Sequence, residues 1–212
     1  MAVIHLLLVD EMDYYYSPMQ ENKNYSKYPL KFFIALVVCL LIRLIPLRAP
    51  NIEPIMASTM PISRAFGAFM GFSFAVLSIF LYDLITQTVG VQTLFTAGAY
   101  GAVGLWSAVY FSAKGGSASG GKGKNIGVRD YVKFAIMGTL AFDAVTGLTV
   151  GPIFFNQSFF ASMIGQIPFT ALHLLGNVTF ALVLSPGIYN FLVKKRKKES
   201  AELINILNPK IN

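Results

Sequence analysis

The sequence predicts an all-α, polytopic integral membrane protein of about six transmembrane helices, one of them short and proline-broken. Three observations carry this. Hydrophobic residues make up 55% of the 212 and charged residues only 13%, where a soluble domain carries about 25% charged residues. Mean hydropathy is +0.59. Several apolar stretches reach the roughly 20 residues that a helix needs to cross the hydrocarbon core. A globule of this composition could not cover its surface with polar groups, which argues against a cytosolic enzyme and a disordered hub. The single cysteine, Cys39, excludes a disulfide framework and any paired-cysteine metal site.

Residues 1–29 stand apart, with Asp10, Glu11, Asp13, Glu21 and the run Tyr14–Tyr16. The apolar start Ala2–Val9 is too short to span and lacks a basic leader, so it reads as an N-terminal cytoplasmic tail. Leu30–Leu47 is the first span, interrupted late by Arg43. Asn51–Ile62 is apolar but short and broken by Pro54 and Pro61; it reads as a short, bent second span. A five-span reading turns it into a loop instead. Phe66–Ile85 is the third span and Leu94–Ala113 the fourth. Residues 114–128 form a Gly/Ser/Lys-rich cytoplasmic linker. Tyr131–Val150 is the fifth span, Ser158–Gly165 a short re-entrant or surface helix, and Ile167–Val193 the sixth span. The six-helix domain so defined is 30–195, and 196–212 is a basic cytoplasmic tail.

Lys and Arg orient the spans. With six spans, the tail, the loop after span two, the linker and the C-terminus fall on one side. They hold 15 of the 17 basic residues, leaving Arg43 and Arg48 for the other side. The asymmetry puts both termini in the cytoplasm. It also accounts for the net charge of +7 without nucleic acid as a partner, since the run Lys194–Lys198 serves first as a stop-transfer and headgroup anchor.

A parallel internal repeat relates spans three–four to five–six. Leu81-Tyr-Asp-Leu-Ile-Thr86 matches Ala141-Phe-Asp-Ala-Val-Thr146, and Phe95-Thr96-Ala97 matches Phe169-Thr170-Ala171. Such repeats are common in transporters.

An ionisable residue inside a span costs about 2.5–3.5 kcal/mol at the helix centre on insertion scales, so each one asks for a use. Asn51, Glu53, Asp83 and Asp143 fall toward the outer ends of their helices. Thr93, Thr96 and Tyr100 share one face of span four; Thr170, His173 and Asn177 share one face of span six, with Gln166 beside them. Together they predict one polar pocket, open to the outside and closed toward the cytoplasm by apolar packing. Phe95 and Phe169 could stack on a ligand. There is no HExxH, nucleophile elbow or Walker lysine, so the chain reads as no enzyme, with no cofactor and no metal site. Small residues mark close helix approach: Ala97, Gly101, Gly104 and Ala108 within span four, which reads as packing inside the chain, and Gly67 and Gly71 in span three.

The segments Pro50-Asn-Ile-Glu-Pro-Ile-Met-Ala57, Asp83 and Gln166-Ile-Pro-Phe-Thr-Ala-Leu-His-Leu-Leu-Gly-Asn177, in a chain of this size and topology, resemble a substrate-binding (S) component of an energy-coupling factor (ECF) vitamin transporter over roughly residues 30–195. The resemblance implies capture of a vitamin or similar micronutrient from outside. It also implies partners: a transmembrane coupling subunit and two cytosolic ATPases, in a prokaryotic plasma membrane. The substrate-binding residues would be Asn51, Glu53, Asp83, Thr96, Tyr100, Asp143, Thr170, His173 and Asn177. The family's AxxxA docking motif is missing, since Ala35 is followed by Cys39; Gly67 and Gly71 are the expected docking substitute. Two other readings stay open: a stand-alone proton-coupled carrier using Asp83 and Asp143, and a structural membrane protein without ligand.

Overall fold

A computed structural model describes residues 27–46, 51–115 and 126–207, with side chains described from Pro29 to Val193 within those ranges. The expectations for the N-terminal tail, for most of the Gly/Ser linker and for the end of the chain lie outside the described residues, as do the side chains of the basic run from Lys194. The chain divides into two units, 1–30 and 31–212, and only the second is described in detail.

All regular structure among the described residues is helical: α1 Lys27–Arg43, α2 Ile55–Phe66, α3 Ala68–Ile85, α4 Val91–Ala113, α5 Val128–Phe155 and α6 Phe159–Leu207. Helices α3, α4, α5 and the Phe159–Val193 part of α6 are long and apolar enough to cross a membrane. Their apolar faces point outward, as Phe69, Leu94, Val109, Ile167 and Val183 show. A face of this kind belongs in lipid, so the chain is a multi-pass membrane protein.

One expected element is corrected and one open alternative is decided. The separate helix over Ser158–Gly165 does not exist, because α6 runs without a break from Phe159 through Pro168 and Pro186. A proline removes one backbone hydrogen bond and bends a spanning helix, and neighbouring helices can hold it in line. The alternative concerns α2. It is not the loop of the five-span reading but the short, proline-containing helix of the six-helix one. Twelve residues rise about 18 Å, short of the ~30 Å hydrocarbon core. Ten of the twelve are buried, and α2 packs on α3, α4, α5 and α6 at once.

Local chemistry explains how α2 survives there. Pro61 lacks an N–H, so the carbonyl of Ala57, four residues earlier, loses its helical donor. Ser185 Oγ of α6 donates to Ala57 O at 2.7 Å and fills the gap. At its end, Gly67 takes φ +92°, a conformation that favours glycine, and this single residue turns the chain from α2 into α3. Third-span residue Phe66 thus belongs to α2.

Helices α3 and α4 form one hairpin, and α5 and α6 a second. In the first, Gly71 and Gly104 let the backbones meet: a Cβ on Gly104 would lie 2.6 Å from Gly71 O. Ser63 Oγ donates to Gly104 O at 3.0 Å across the same crossing. Gly71 is therefore buried inside the chain, and the expected docking face of Gly67 and Gly71 is corrected: one glycine is a turn and the other a helix crossing. Ala97, Gly101, Gly104 and Ala108 are internal as well. In the second hairpin, Asn156 ends α5 in the left-handed conformation with φ 55°, which Asn tolerates better than most residues. Gln157 N–H then donates back to Gly151 O at 3.3 Å, and Ser158 Oγ accepts from Ala161 N–H at 3.2 Å to cap α6.

One end of the bundle is sealed by Trp106, Tyr110 and Phe111 of α4 against Tyr131 and Phe134 of α5, with ring centroids 5.0–5.8 Å apart. Arg64 lies 3.7 Å from the Tyr189 ring and donates to Tyr131 Oη at 2.9 Å. Outside the spanning segments at this end, Lys114 Nζ donates to Asp130 Oδ1 at 2.9 Å, tying the end of α4 to the start of α5. That hydrogen bond holds the Asp130 carboxyl below its ordinary 3.8 and Lys114 above 10.5. Stability from Asp130 is present above pH ~3.8 and is lost as pH falls through its lowered folded value; stability from Lys114 is present below pH ~10.5 and is lost above its raised one. The pair is exposed, so its effect is small. We expect an acid-side fall in the unfolding midpoint that Asp130→Asn reduces. An undiminished fall in that variant would assign the acid sensitivity elsewhere.

Candidate functional site

The opposite end of the bundle holds a cavity of about 720 Å³. Its walls are the last turn of α1, the segment leading into α2, the C-terminal parts of α3 and α5, and the N-terminal parts of α4 and α6. Small-molecule sites commonly measure about 300–1,000 Å³.

Of the nine expected substrate-binding residues, six line it: Asn51, Glu53, Asp83, Thr96, Tyr100 and His173; Gln166 and Phe169 line it as well, while Thr93 and Phe95 do not. The other three of the nine do not reach the wall. Asp143, 1% exposed, stands directly behind His173, with Oδ1 2.7 Å from Nδ1. The other ring nitrogen, Nε2, lies 3.0 Å from Tyr100 Oη. His173 is therefore held at both ends between α4 and α5. Asn177 sits one turn deeper and donates through Nδ2 to Thr139 Oγ1 at 2.8 Å. Thr170 accepts from Gln166 Nε2 at 3.5 Å, half-buried at the edge. Asp143 and Asn177 thus bond across the α5–α6 interface. Asp143 Oδ2 and Asn177 Oδ1 are buried there without a hydrogen-bond partner among the described residues.

The first pair of repeat clusters is alike locally, although Asp83 and Thr96 line the cavity and their counterparts Asp143 and Thr170 do not. Tyr82 and Phe142 both line the cavity. Thr86 Oγ1 donates to Tyr82 O at 2.9 Å and Thr146 Oγ1 to Phe142 O at 2.8 Å. Asp83 Oδ2 accepts from Thr93 Oγ1 of the next helix at 2.6 Å, as Asp143 meets His173 of α6. The Thr93 hydroxyl oxygen also accepts from Gly90 N–H at 3.0 Å, closing the turn into α4. The hairpins differ in length: α5 continues to Phe155 before the chain turns, which makes the spacing from Asp143 to Thr170 longer than that from Asp83 to Thr96.

Several lining residues were not expected: Tyr82, Gln92, Phe142, Thr146, Gly147, Gly151, Gln157 and Ser162. Helical spacing could have found part of this set, because 143, 146, 147, 150 and 151 share one face of α5. The two glycines have a visible use. A Cβ on Gly147 would lie 2.0 Å from Gln166 Oε1, and one on Gly151 would lie 2.6 Å from Ser162 Oγ. Their absent side chains make room for polar groups of α6.

Arg43 is the largest surprise. It ends α1 with its side chain only 4% exposed. Its guanidinium lies 3.8 Å from the Tyr82 ring centroid, donates through one terminal nitrogen to Ser78 O, and pairs through the other with Glu53 Oε1 at 3.4 Å. A buried cation is stable only when paired and hydrogen-bonded, and these three contacts supply that. Among the described residues, no group of three or more His, Cys, Asp and Glu side chains could hold a metal ion.

Comparison with protein-family models, with curated proteins and with solved structures gives no match to this chain.

Proposed function

We propose that this protein is the substrate-binding subunit of an ECF-type importer, capturing a vitamin or similar micronutrient from outside the cell for uptake driven by partner subunits. The observation that carries this reading is the cavity of about 720 Å³ at one end of a bundle sealed at the other. A one-ended pocket binds but does not conduct, so movement of its ligand across the membrane calls for further components. Lys31, Arg64, Lys114, Arg129 and Lys133 belong to the sealed end by their places on the helices, which supports a cytoplasmic sealed end and an outward-facing mouth. The docking surface for a coupling subunit is not the Gly67–Gly71 pair, since Gly71 is internal.

The buried Tyr100–His173–Asp143 chain favours a second reading, a proton-coupled carrier acting alone. The two are separated with one preparation. Purified protein is screened by thermal shift against a vitamin panel and then reconstituted without ATPases. The importer subunit shows a saturable rise in unfolding temperature with at least one compound and no uptake driven by a proton gradient. Proton-driven uptake in those vesicles would establish the carrier instead, and the absence of any ligand would overturn both.

A further inference from the structure

Resting on that reading of the cavity as a capture site, the geometry points to the chemical class of its ligand: a planar heteroaromatic lactam, a ring whose edge carries a carbonyl beside a ring N–H. The donor–acceptor pair that would read this edge is Arg43 with Glu53. Both line the cavity, with nitrogen and oxygen 3.4 Å apart. A guanidinium offers only donors and a carboxylate only acceptors. Side by side, they present one donor and one acceptor in a row. The complementary edge has one acceptor and one donor in the same order: its carbonyl accepts from Arg43, and its N–H donates to Glu53. A carboxylate has about four acceptor positions, so Glu53 can keep its protein contacts and take one more.

Charge argues the same way. A ligand anion brought to Arg43 meets the Glu53 carboxylate, and a ligand cation brought to Glu53 meets the guanidinium. Within the pair each charge faces its opposite, and a neutral edge with both functions meets both partners. The pair is also fixed in place. Stacking on Tyr82 and the bond to Ser78 O hold the fork before a ligand arrives, which lowers the cost of ordering on binding. The remaining lining supports the same class independently. Asn51, Gln92, Gln157 and Gln166 are side-chain amides, each with a donor and an acceptor of its own, suited to the other edges of a heterocycle. Phe142, Phe155 and Phe169 supply apolar surface for its faces.

The test uses the full-length purified chain and calorimetric or fluorescence titration with lumichrome, pterin and guanine. Each is paired with its derivative methylated at the lactam nitrogen, and thiamine and nicotinate serve as a cation and an anion without the edge. At least one lactam should bind, and its N-methyl derivative should bind on the order of ten- to a hundredfold more weakly, the loss expected when a hydrogen bond to a charged group is removed. Glu53→Gln, which retains a partner for Arg43, should shrink that discrimination. The comparison of methylated and unmethylated ligands on the unaltered chain stands even if the variant does not fold. Equal binding of the methylated form overturns the inference. Binding of thiamine or nicotinate with no lactam bound also overturns it, while leaving the capture function intact. No binding by any probe, nor by any vitamin, removes both.

Discussion

Asp143→Ala lowers the stability of the folded chain by about 1–3 kcal/mol, the cost of leaving a buried polar group without its hydrogen-bond partner. The expectation follows from geometry. Asp143 and His173 are 1% and 3% exposed, their bond is 2.7 Å long, and the second ring nitrogen is engaged by Tyr100. Without the carboxylate, His173 Nδ1 loses its partner behind the cavity wall. Asp143→Asn keeps an acceptor and should cost about 1–2 kcal/mol, near the worth of one neutral hydrogen bond. Removing both partners, as in Asp143→Ala with His173→Leu, removes the unpaired ring nitrogen but leaves the Tyr100 hydroxyl without its partner, so it should recover only part of the loss. Unfolding in mixed micelles followed by circular dichroism measures all three. Interhelical hydrogen bonds inside membranes average about 0.6 kcal/mol. A value that low for Asp143→Ala would show that the loss of this hydrogen bond leaves no costly buried polar group.

The second large effect is Gly104→Ala. The added Cβ would stand 2.6 Å from Gly71 O, 2.7 Å from Gly71 C and 2.9 Å from Phe72 N. All three are backbone atoms, so no side chain can rotate away and α3 must move off α4. Overpacking of a tight interface costs about 1–3 kcal/mol and sometimes more, and here the Ser63 bond to Gly104 O is stretched as well. Gly98→Ala is the internal control. A Cβ there meets nothing within 4 Å, and alanine gains roughly 1 kcal/mol of helix propensity over glycine. The two variants should therefore shift the unfolding midpoint in opposite directions. Shifts of the same sign and size would mean that the crossing is not close-packed in solution.

The spanning helices could be read from the sequence because lipid imposes a simple demand. A stretch of about 20 apolar residues has few other uses, so α3, α4 and α5 stand nearly where hydropathy puts them. The demand fails for α2, whose Ser58, Thr59 and Ser63 are buried by protein and not by lipid. Length and prolines alone could not show that. It fails again at Ser158–Gly165, where Gly165 and Pro168 suggest a break that the helix absorbs. The candidate site was half readable. Depth and helical face brought Asp83, Thr96, Tyr100 and His173 toward one place. Which polar residues face the cavity and which bond to each other beneath it depends on rotation of α5 against α6, and periodicity does not fix that angle. Arg43 sits where a span ends, where a basic residue ordinarily marks the membrane surface; its burial follows only from Tyr82, Ser78 and Glu53 arriving from other parts of the chain.

The enclosure of α2 also constrains how the protein is made. All four helices that wrap it, α3, α4, α5 and α6, are synthesised after it and after the turn at Gly67. The serine that completes its backbone, Ser185, is 128 residues away in the chain. When α2 leaves the ribosome, none of its final neighbours is in place, and twelve residues with a freed carbonyl at Ala57 make a poor independent insert in lipid. The order of synthesis therefore requires α2 to wait, at the interface or within the insertion machinery, until the second hairpin closes around it. Assembly of this bundle is completed from its C-terminal half inward, and a chain truncated before α6 should leave α2 accessible to proteases.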